Sequence, residues 1–328
     1  MKVYIYENVQ DFMEENESKL LEQEAITQLI LFNGMVNRSS NTNDALLFGK
    51  VIDSHDKTVL FFCNVLPYNF LINTVYYNLS DGFGSNGSST NHTSNLHGNK
   101  IYFAENIECN PIKEAVKTLA DYIVDHNILI KGLNANKNIC DIFLPQYQEL
   151  KKCGYKEHLA MDIMELKQLN YVTLAEGISR KADLSEKEII ARWIVDFAKD
   201  AMDDDLIYEE QLIKAERMIL ANSLQVYEIP GYGLVSMAAA SRQLVNGVCI
   251  NYVFTPKEYR GKGYAVSNMY ELSKEMLDKG NHFCTLFVDK KNPISNRVYK
   301  KIGYQIIENQ YDFKILCDDN CDESVTTC

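Results

Sequence analysis

Apolar positions along the chain follow two periods, and the clearest helical one lies late in the sequence. Val266, Met269, Tyr270, Ser273, Met276 and Leu277 line one face of a helix over Ala265–Lys279, and Gly280 stands where a left-handed C-terminal cap is expected. Phe283–Val288 is apolar throughout, as a central strand covered on both faces should be. Ile294, Val298 and Ile302 then form the stripe of a second helix, with Asn292 as its cap and Pro293 as its first residue. Ahead of these elements a helical region around 184–221 carries Trp193 and Phe197 at i, i+4 spacing. Gln225–Ile229, Leu234–Ala240 and Val248–Phe254 follow it closely as strands.

The amino-terminal half reads as a meander followed by alternating elements. Ile26–Phe32, Ala45–Ile52, Thr58–Leu66 and Leu71–Tyr77 are strand-like runs. An amphipathic stretch through Ile112, Val116, Leu119 and Ile123 comes next, then the apolar run Ile128–Ile130, a helix ending near Lys152, and a strand over His158–Leu166. Two polar low-complexity stretches, 37–44 and 81–99, are expected to be mobile loop insertions. The second holds Gly82-Phe83-Gly84-Ser85-Asn86-Gly87, which matches a dinucleotide-binding pattern in letters only, because no helix opens after it.

One internal match joins the halves: Lys151-Lys152-Cys153-Gly154-Tyr155 and Lys300-Lys301-Ile302-Gly303-Tyr304 both end a helix and precede a strand. Falling at the same place in the same element order, it favours a duplicated α/β unit. The expected organisation is therefore an N-terminal domain over 1–168, a second domain over 169–316 and an acidic tail over 317–328.

Composition narrows the function. At 328 residues the chain is about twice the usual single-domain size, consistent with two cores. Its 45 acidic against 33 basic residues, a formal charge of −12, repel phosphate backbones and anionic lipid, so neither nucleic acid nor a membrane is expected as partner. The nine cysteines, an odd number without disulfide-scaffold spacing, read as reduced thiols of a cytosolic or nuclear compartment, and a cytoplasmic protein is expected. Cys317, Cys321 and Cys328 lack a fourth Cys or His nearby, so no metal site is expected.

The informative segment runs from Val253 to Ala265. A strand ending in Val253-Phe254-Thr255 meets a turn at Pro256, and Arg260-Gly261-Lys262-Gly263-Tyr264-Ala265 then opens directly into the amphipathic helix. Unpaired amides gather at such a helix start, where aligned peptide dipoles favour a phosphate or pyrophosphate. Gly261 and Gly263 let the backbone come close to a ligand, and Arg260 and Lys262 add positive charge to the same mouth. A second motif follows about 30 residues on, from Asn292 through Ser295 to Tyr299 and Tyr304.

Together the two motifs resemble the GCN5-related N-acetyltransferase (GNAT) superfamily, which presents R/Q-x-x-G-x-G/A before a helix and N-x-x-A/S-x-x-L-Y downstream. Arg260, Gly263 and Ala265 fill the first pattern, and Asn292, Ser295 and Val298-Tyr299 the second. The wording Thr-Pro-x-Glu-Tyr-Arg-Gly-Lys-Gly-Tyr-Ala looks closest to predicted acetyltransferases with two tandem halves. The resemblance implies an α/β (α+β) fold, a mixed central sheet flanked by helices, in two units of which the first is degenerate. It implies an acetyl-CoA site, with the pyrophosphate on the amides of 261–265 and the pantetheine beside Val253–Thr255, in a splay between two central strands. Asn292 and Ser295 would belong to that cofactor site, and a primary amine of a small molecule or amino acid would take the acetyl group directly. Tyr299 is the expected acid for the departing thiolate. The base is left open between Glu228, Asp289 and a water relay, with Asp289 to be tested first because strand ends line such clefts. The first half has no glycine loop at its equivalent junction, carries Glu108 there, and has Leu150 where Tyr299 stands in the second. A catalytically silent CoA-binding or regulatory module of the same fold is the alternative. Arg242 is a candidate for holding a substrate carboxylate, or else an exposed strand-end arginine.

Overall fold

The computed structural model of the chain describes residues 1–75, 93–96, 99–102, 111–202 and 204–316, and the elements form where the periodicity is cleanest. The first half runs β1 (Lys2–Ile5), α1 (Val9–Leu21), α2 (Glu24–Val36), β2 (Leu46–Ile52), β3 (Thr58–Val65), β4 (Phe70–Thr74), a β5–β6 hairpin (Thr93–Leu96 and Asn99–Tyr102), α3 (Pro111–Asp125), β7 (Gly132–Ala135), α4 (Lys137–Lys151) and β8 (Gly154–Leu166). The second runs β9 (Ile178–Lys181), α5 (Lys187–Met202), α6 (Tyr208–Leu220), β10 (Leu224–Ile229), β11 (Gly233–Gln243), β12 (Gly247–Phe254), α7 (Tyr264–Asp278), β13 (Phe283–Asp289), α8 (Pro293–Ile302) and β14 (Gln305–Leu316). Apart from the hairpin, the two series have one order.

The pairing repeats as well. β1, β2, β3 and β4 are antiparallel neighbours, and β4 then pairs in parallel with β7. β9, β10, β11 and β12 do the same before β12 pairs in parallel with β13. The shared Lys-Lys-x-Gly-Tyr stretches both fall at a helix–strand junction. They are capped differently, by Lys152 in the left-handed region after α4 and by Gly303 at φ 123° after α8.

Several stretches differ from the sequence expectation, and one is Thr93–Leu96, a strand within the 81–99 stretch expected to be a loop. Ile26–Phe32 is not a strand but the middle of α2, where Gln28, Ile30 and Leu31 are all buried. A run that is apolar on nearly every side has no period to distinguish a buried helix from a buried strand. With α1, it supplies the helix pair that matches α5 and α6. The first-half strand lies at Gly132–Ala135, just after Ile128–Ile130, and the region around 184–221 is two helices behind a 3-10 turn with an Asp183–Glu186 capping box. The stretch 37–44, expected to be mobile, is tied down: Val9 N–H donates to Ser40 O at 3.0 Å and Thr42 N–H to Glu7 O at 2.9 Å.

Packing divides the chain into two units. One comprises Met1–Glu15, Asn33–Lys156 and the described residues from Asp312; the other comprises Asn16–Phe32 and Glu157–Tyr311. The division departs from a cut at 168 because closing strands are exchanged. β8, the last strand of the first half, pairs antiparallel with β13 of the second, from Cys284↔Leu166 to Asp289↔Met161. The end of β14 belongs instead to the first unit, where Asn69 and Asn134 donate to Asp312 Oδ2 at 2.8 and 3.1 Å and Ile315 N–H to Lys131 O at 3.2 Å. Gly132 allows that approach, since a Cβ there would stand 2.2 Å from Phe313 O.

In the second unit helices cover both sheet faces. Met269, Leu272 and Ile302 of α7 and α8 pack with Val248, Leu286 and Met164, while Trp193, Ile194 and Ile219 of α5 and α6 pack with Val226, Met237 and Phe254. Among the described residues no helix is long and apolar enough to cross a membrane, and no group of three metal-ligating side chains occurs. Cys63, Cys140, Cys249 and Cys284 are buried thiols outside any disulfide, and Cys153 is buried as well. Tyr77, the 82–87 glycine pattern, Glu108, Cys109 and the 317–328 tail lie outside the described residues.

Candidate active site

β12 and β13 run parallel for only three pairs, Gly247↔Phe283, Val248↔Cys284 and Cys249↔Thr285, although β12 continues to Phe254 and β13 to Asp289. Beyond that last pair the two strands part. β12 carries an extra residue just there, since Ala239 opposes Asn251 and Met237 opposes Phe254, and Tyr252 takes φ 54° in this bulge. Val253 turns to the α7–α8 core, and Phe254 to Trp193 with ring centroids 6.2 Å apart.

From the strand end the chain passes through a 3-10 turn (Lys257–Tyr259) into the glycine loop. Gly261 and Gly263 have φ 80° and 86°, a left-handed conformation that disfavours any residue with a Cβ. Space does not demand glycine: nothing lies within 4 Å of a Cβ on Gly261, and on Gly263 the nearest atom is Ala175 Cβ at 3.7 Å. Gly263 is the cap of α7, with no side-chain cap bond and no acid in the first turn. The first amides of α7, from Tyr264, Ala265 and Val266, therefore face the mouth without an internal partner. Ser267 closes the turn, its N–H donating to Gly263 O at 3.0 Å and its Oγ accepting from Ala175 N–H at 2.8 Å.

A family model described as FR47-like protein matches residues 231–312, which span β11 through most of β14. Among solved structures, an acetyltransferase of the GNAT family from Colwellia psychrerythraea covers 97% of this chain and 100% of its own, with TM-score 0.51 and 11% identity. A GCN5-related N-acetyltransferase from Sphaerobacter thermophilus covers 89% and 91%, with TM-score 0.53 and 12% identity. A Drosophila protein covers 96% and 98%, with TM-score 0.57 and 10% identity. The fold is that of the GCN5-related N-acetyltransferases. No curated protein matches the chain in sequence.

Within this GNAT fold the expected site residues occupy different kinds of position. Arg260 braces the loop: its Nη2 donates to Asp200 Oδ2 at 2.6 Å, its Nε to Thr255 O at 2.8 Å, and its guanidinium lies 5.8 Å from the Phe254 ring centroid. Lys262 is exposed beside the Tyr259 ring. Thr255 fixes the strand end, its Oγ1 bonding Ser236 Oγ, which in turn donates to Phe254 O, both at 3.0 Å. Asn292 caps α8 by accepting from Ser295 N–H at 3.0 Å, and Asn296 Nδ2 donates to Asp289 O at the same distance.

Tyr299 is 6% exposed and packs edge-on to Tyr304. Burial pushes its pKa well up, a hydrogen bond from Ser295 opposing. The Asp289 carboxylate accepts from Lys291 N–H at 2.8 Å, as a turn carboxylate does. Glu228 is committed to Arg180, whose Nε lies 2.7 Å from it. Sequence reasoning missed Asp200, Ser236 and Ala175, which position the loop and strand end from 60, 19 and 92 residues away from their partners. No local signal marks such pairs. A separate cavity along α7 is lined by Glu271, Glu275, Asp278, Lys274 and Lys279, and its lysines already pair with Asp278 and Glu275.

Proposed function

We propose that the protein is an acetyl-CoA-dependent N-acetyltransferase whose acceptor is a primary amine of a small molecule. The observation that carries this reading is the parting of β12 and β13 directly beside an uncapped helix start. Residues here fit the donor: the amides of 264–266 and the open φ-positive glycines suit a pyrophosphate, and the free edge of Val253–Thr255 suits the amide-bearing pantetheine arm. When bound, acetyl-CoA supplies an acetyl thioester, whose C–S bond breaks as the acceptor nitrogen forms the amide.

The chain's own groups handle the protons. Asp289, at the end of β13, takes the proton that leaves the amine, directly or through water. Tyr299 keeps its hydroxyl proton across the physiological range because burial raises its pKa. It donates a hydrogen bond to the departing sulfur, and full transfer follows only if the sulfur is desolvated too, since an ordinary thiolate is a weaker base than a buried tyrosinate. Arg260 and Asp200 hold the loop in shape rather than contact the reacting atoms.

Calorimetric titration of the full chain with acetyl-CoA tests the reading. Micromolar binding, followed by transfer to an amine, is the expected result. Absence of binding in folded protein overturns it, and binding without transfer to any amine points to the silent module.

A further inference from the structure

Arg242, on β11, is partly buried, and no carboxylate of the described residues pairs with it. Its Nη1 donates to Gln28 Oε1 at 2.9 Å, and its guanidinium lies 5.3 Å from the Phe32 ring centroid. Gln28 is 0% exposed, and its Nε2 donates to Ala25 O at 2.7 Å and Thr285 Oγ1 at 3.4 Å. Its carbonyl oxygen is therefore fixed toward the arginine. One turn earlier on α2, Glu24 could have neutralised the charge, but it is spent on the β11–β12 turn. Its Oε1 accepts from Val245 N–H at 2.6 Å and its Oε2 from Asn246 Nδ2 at 2.9 Å. A charge drawn partly out of water and met only by an amide oxygen and a ring is incompletely compensated.

Its place in the sheet says what completes it. Arg242 pairs with Cys249, and Cys249 with Thr285, so it stands in the last row before β12 and β13 part. Gln28 touches both Arg242 and Thr285, which puts them on one face of the sheet. Alternate residues of β13 carry that face upward through Phe287 to Asp289, the end where the amine loses its proton. Nε, Nη2 and the second Nη1 proton remain available as a fork that matches a carboxylate.

We propose that Arg242 binds a carboxylate of the acceptor, so that the substrate class is an amine that is also a carboxylic acid, such as an amino acid. Gln28 and Phe32 are positioning residues for the guanidinium. The inference rests on the acetyl-transfer reading for its biological use, but the carboxylate site is testable apart from it.

The experiment compares lysine with cadaverine, phenylalanine with phenethylamine and serine with ethanolamine as acceptors. Each is read as kcat/KM and as calorimetric binding with and without CoA, on the full chain and on Arg242→Met and Arg242→Lys. The expected result is a preference for the carboxylated member of at least one pair of about 10- to 100-fold, the worth of a charged hydrogen-bonded contact. Arg242→Met should lose that preference and Arg242→Lys retain part of it, with acetyl-CoA affinity unchanged in both as proof of folding. Equal use of both members of every pair, or a preference that survives in Arg242→Met, overturns the proposal while acetyl transfer stands. If no amine is acetylated, the transfer reading fails by itself. Carboxylate binding that is lost in Arg242→Met then still upholds the site, and absence of carboxylate binding overturns it.

Discussion

Gly263→Asp gives the sharpest test of the anion mouth, because the structure separates its effects on folding and binding. At φ 86° a Cβ costs about 1 kcal/mol, and Asp is among the residues that tolerate this region best. The nearest atom to the new Cβ is Ala175 Cβ at 3.7 Å, an ordinary contact, so no clash adds to the strain. The carboxylate at a helix N-terminus recovers a few tenths of a kcal/mol. Folding should thus lose at most about 1 kcal/mol, a fall of roughly 2–4 °C in Tm. Binding should suffer far more, since a carboxylate about 5 Å from one pyrophosphate charge costs about 3 kcal/mol at an effective dielectric of 20. That corresponds to roughly 200-fold in Kd for acetyl-CoA. Gly263→Asn has nearly the same shape and backbone tolerance without the charge, and should stay within about 10-fold of the parent. Calorimetry of the three proteins at low salt reads the difference. A folded Asp variant with unchanged affinity, or an Asn variant as weak as the Asp one, would refute the electrostatic argument.

Three further outcomes are expected. Tyr299→Phe should lower kcat on the order of 10²-fold while acetyl-CoA affinity holds, measured by initial rates and calorimetry; normal turnover would assign the sulfur's proton to another group. Asp289→Asn keeps an oxygen for the Lys291 N–H, so Tm should hold while kcat falls by about 10²-fold, and an unaffected rate would give the amine's proton to water. Burial pushes the Cys140 and Cys284 thiols up from 9.0 to about 12, so the folded state favours their neutral form. Stability from each is intact below about pH 9 and is lost by about 1.4 kcal/mol per unit as pH rises from there toward 12. Guanidinium melts at stepped pH should show this slope, and a Cys140→Ala/Cys284→Ala protein with an equally steep slope would disprove it.

The site's frame was legible because its signals are local. Asn292-Pro293 caps α8 as read, the Val266–Leu277 stripe faces the core, and the strand–glycine loop–helix order falls within a dozen residues. The reason for the glycines was only half legible: close approach was expected, whereas the positive φ at both positions is what excludes side chains. Arg260 is expected at the anion mouth from its place in the loop motif, whereas Asp200, the residue that holds it, lies 60 residues earlier on α5. α2 escaped because its burial erases the period. The exchange of β8 and β14 was invisible for a related reason: both strands follow a helix that closes on the shared Lys-Lys-x-Gly-Tyr stretch, and nothing within either run names the strand beside which it will lie.

That exchange sets an unusual order of completion during synthesis. Domains ordinarily finish folding from the amino terminus as the ribosome releases them. Here the unit holding residue 1 also needs Asp312–Leu316, whose Asp312 receives the amides of Asn69 and Asn134. Until those last residues emerge, β7 presents an open edge of the kind that invites pairing with other chains. The second unit meets the reverse situation: β8, the partner of β13, has already been made when β13 appears. A stop codon a few residues before Asp312 would therefore injure the amino-terminal half more than the half that carries the proposed acetyl-CoA cleft.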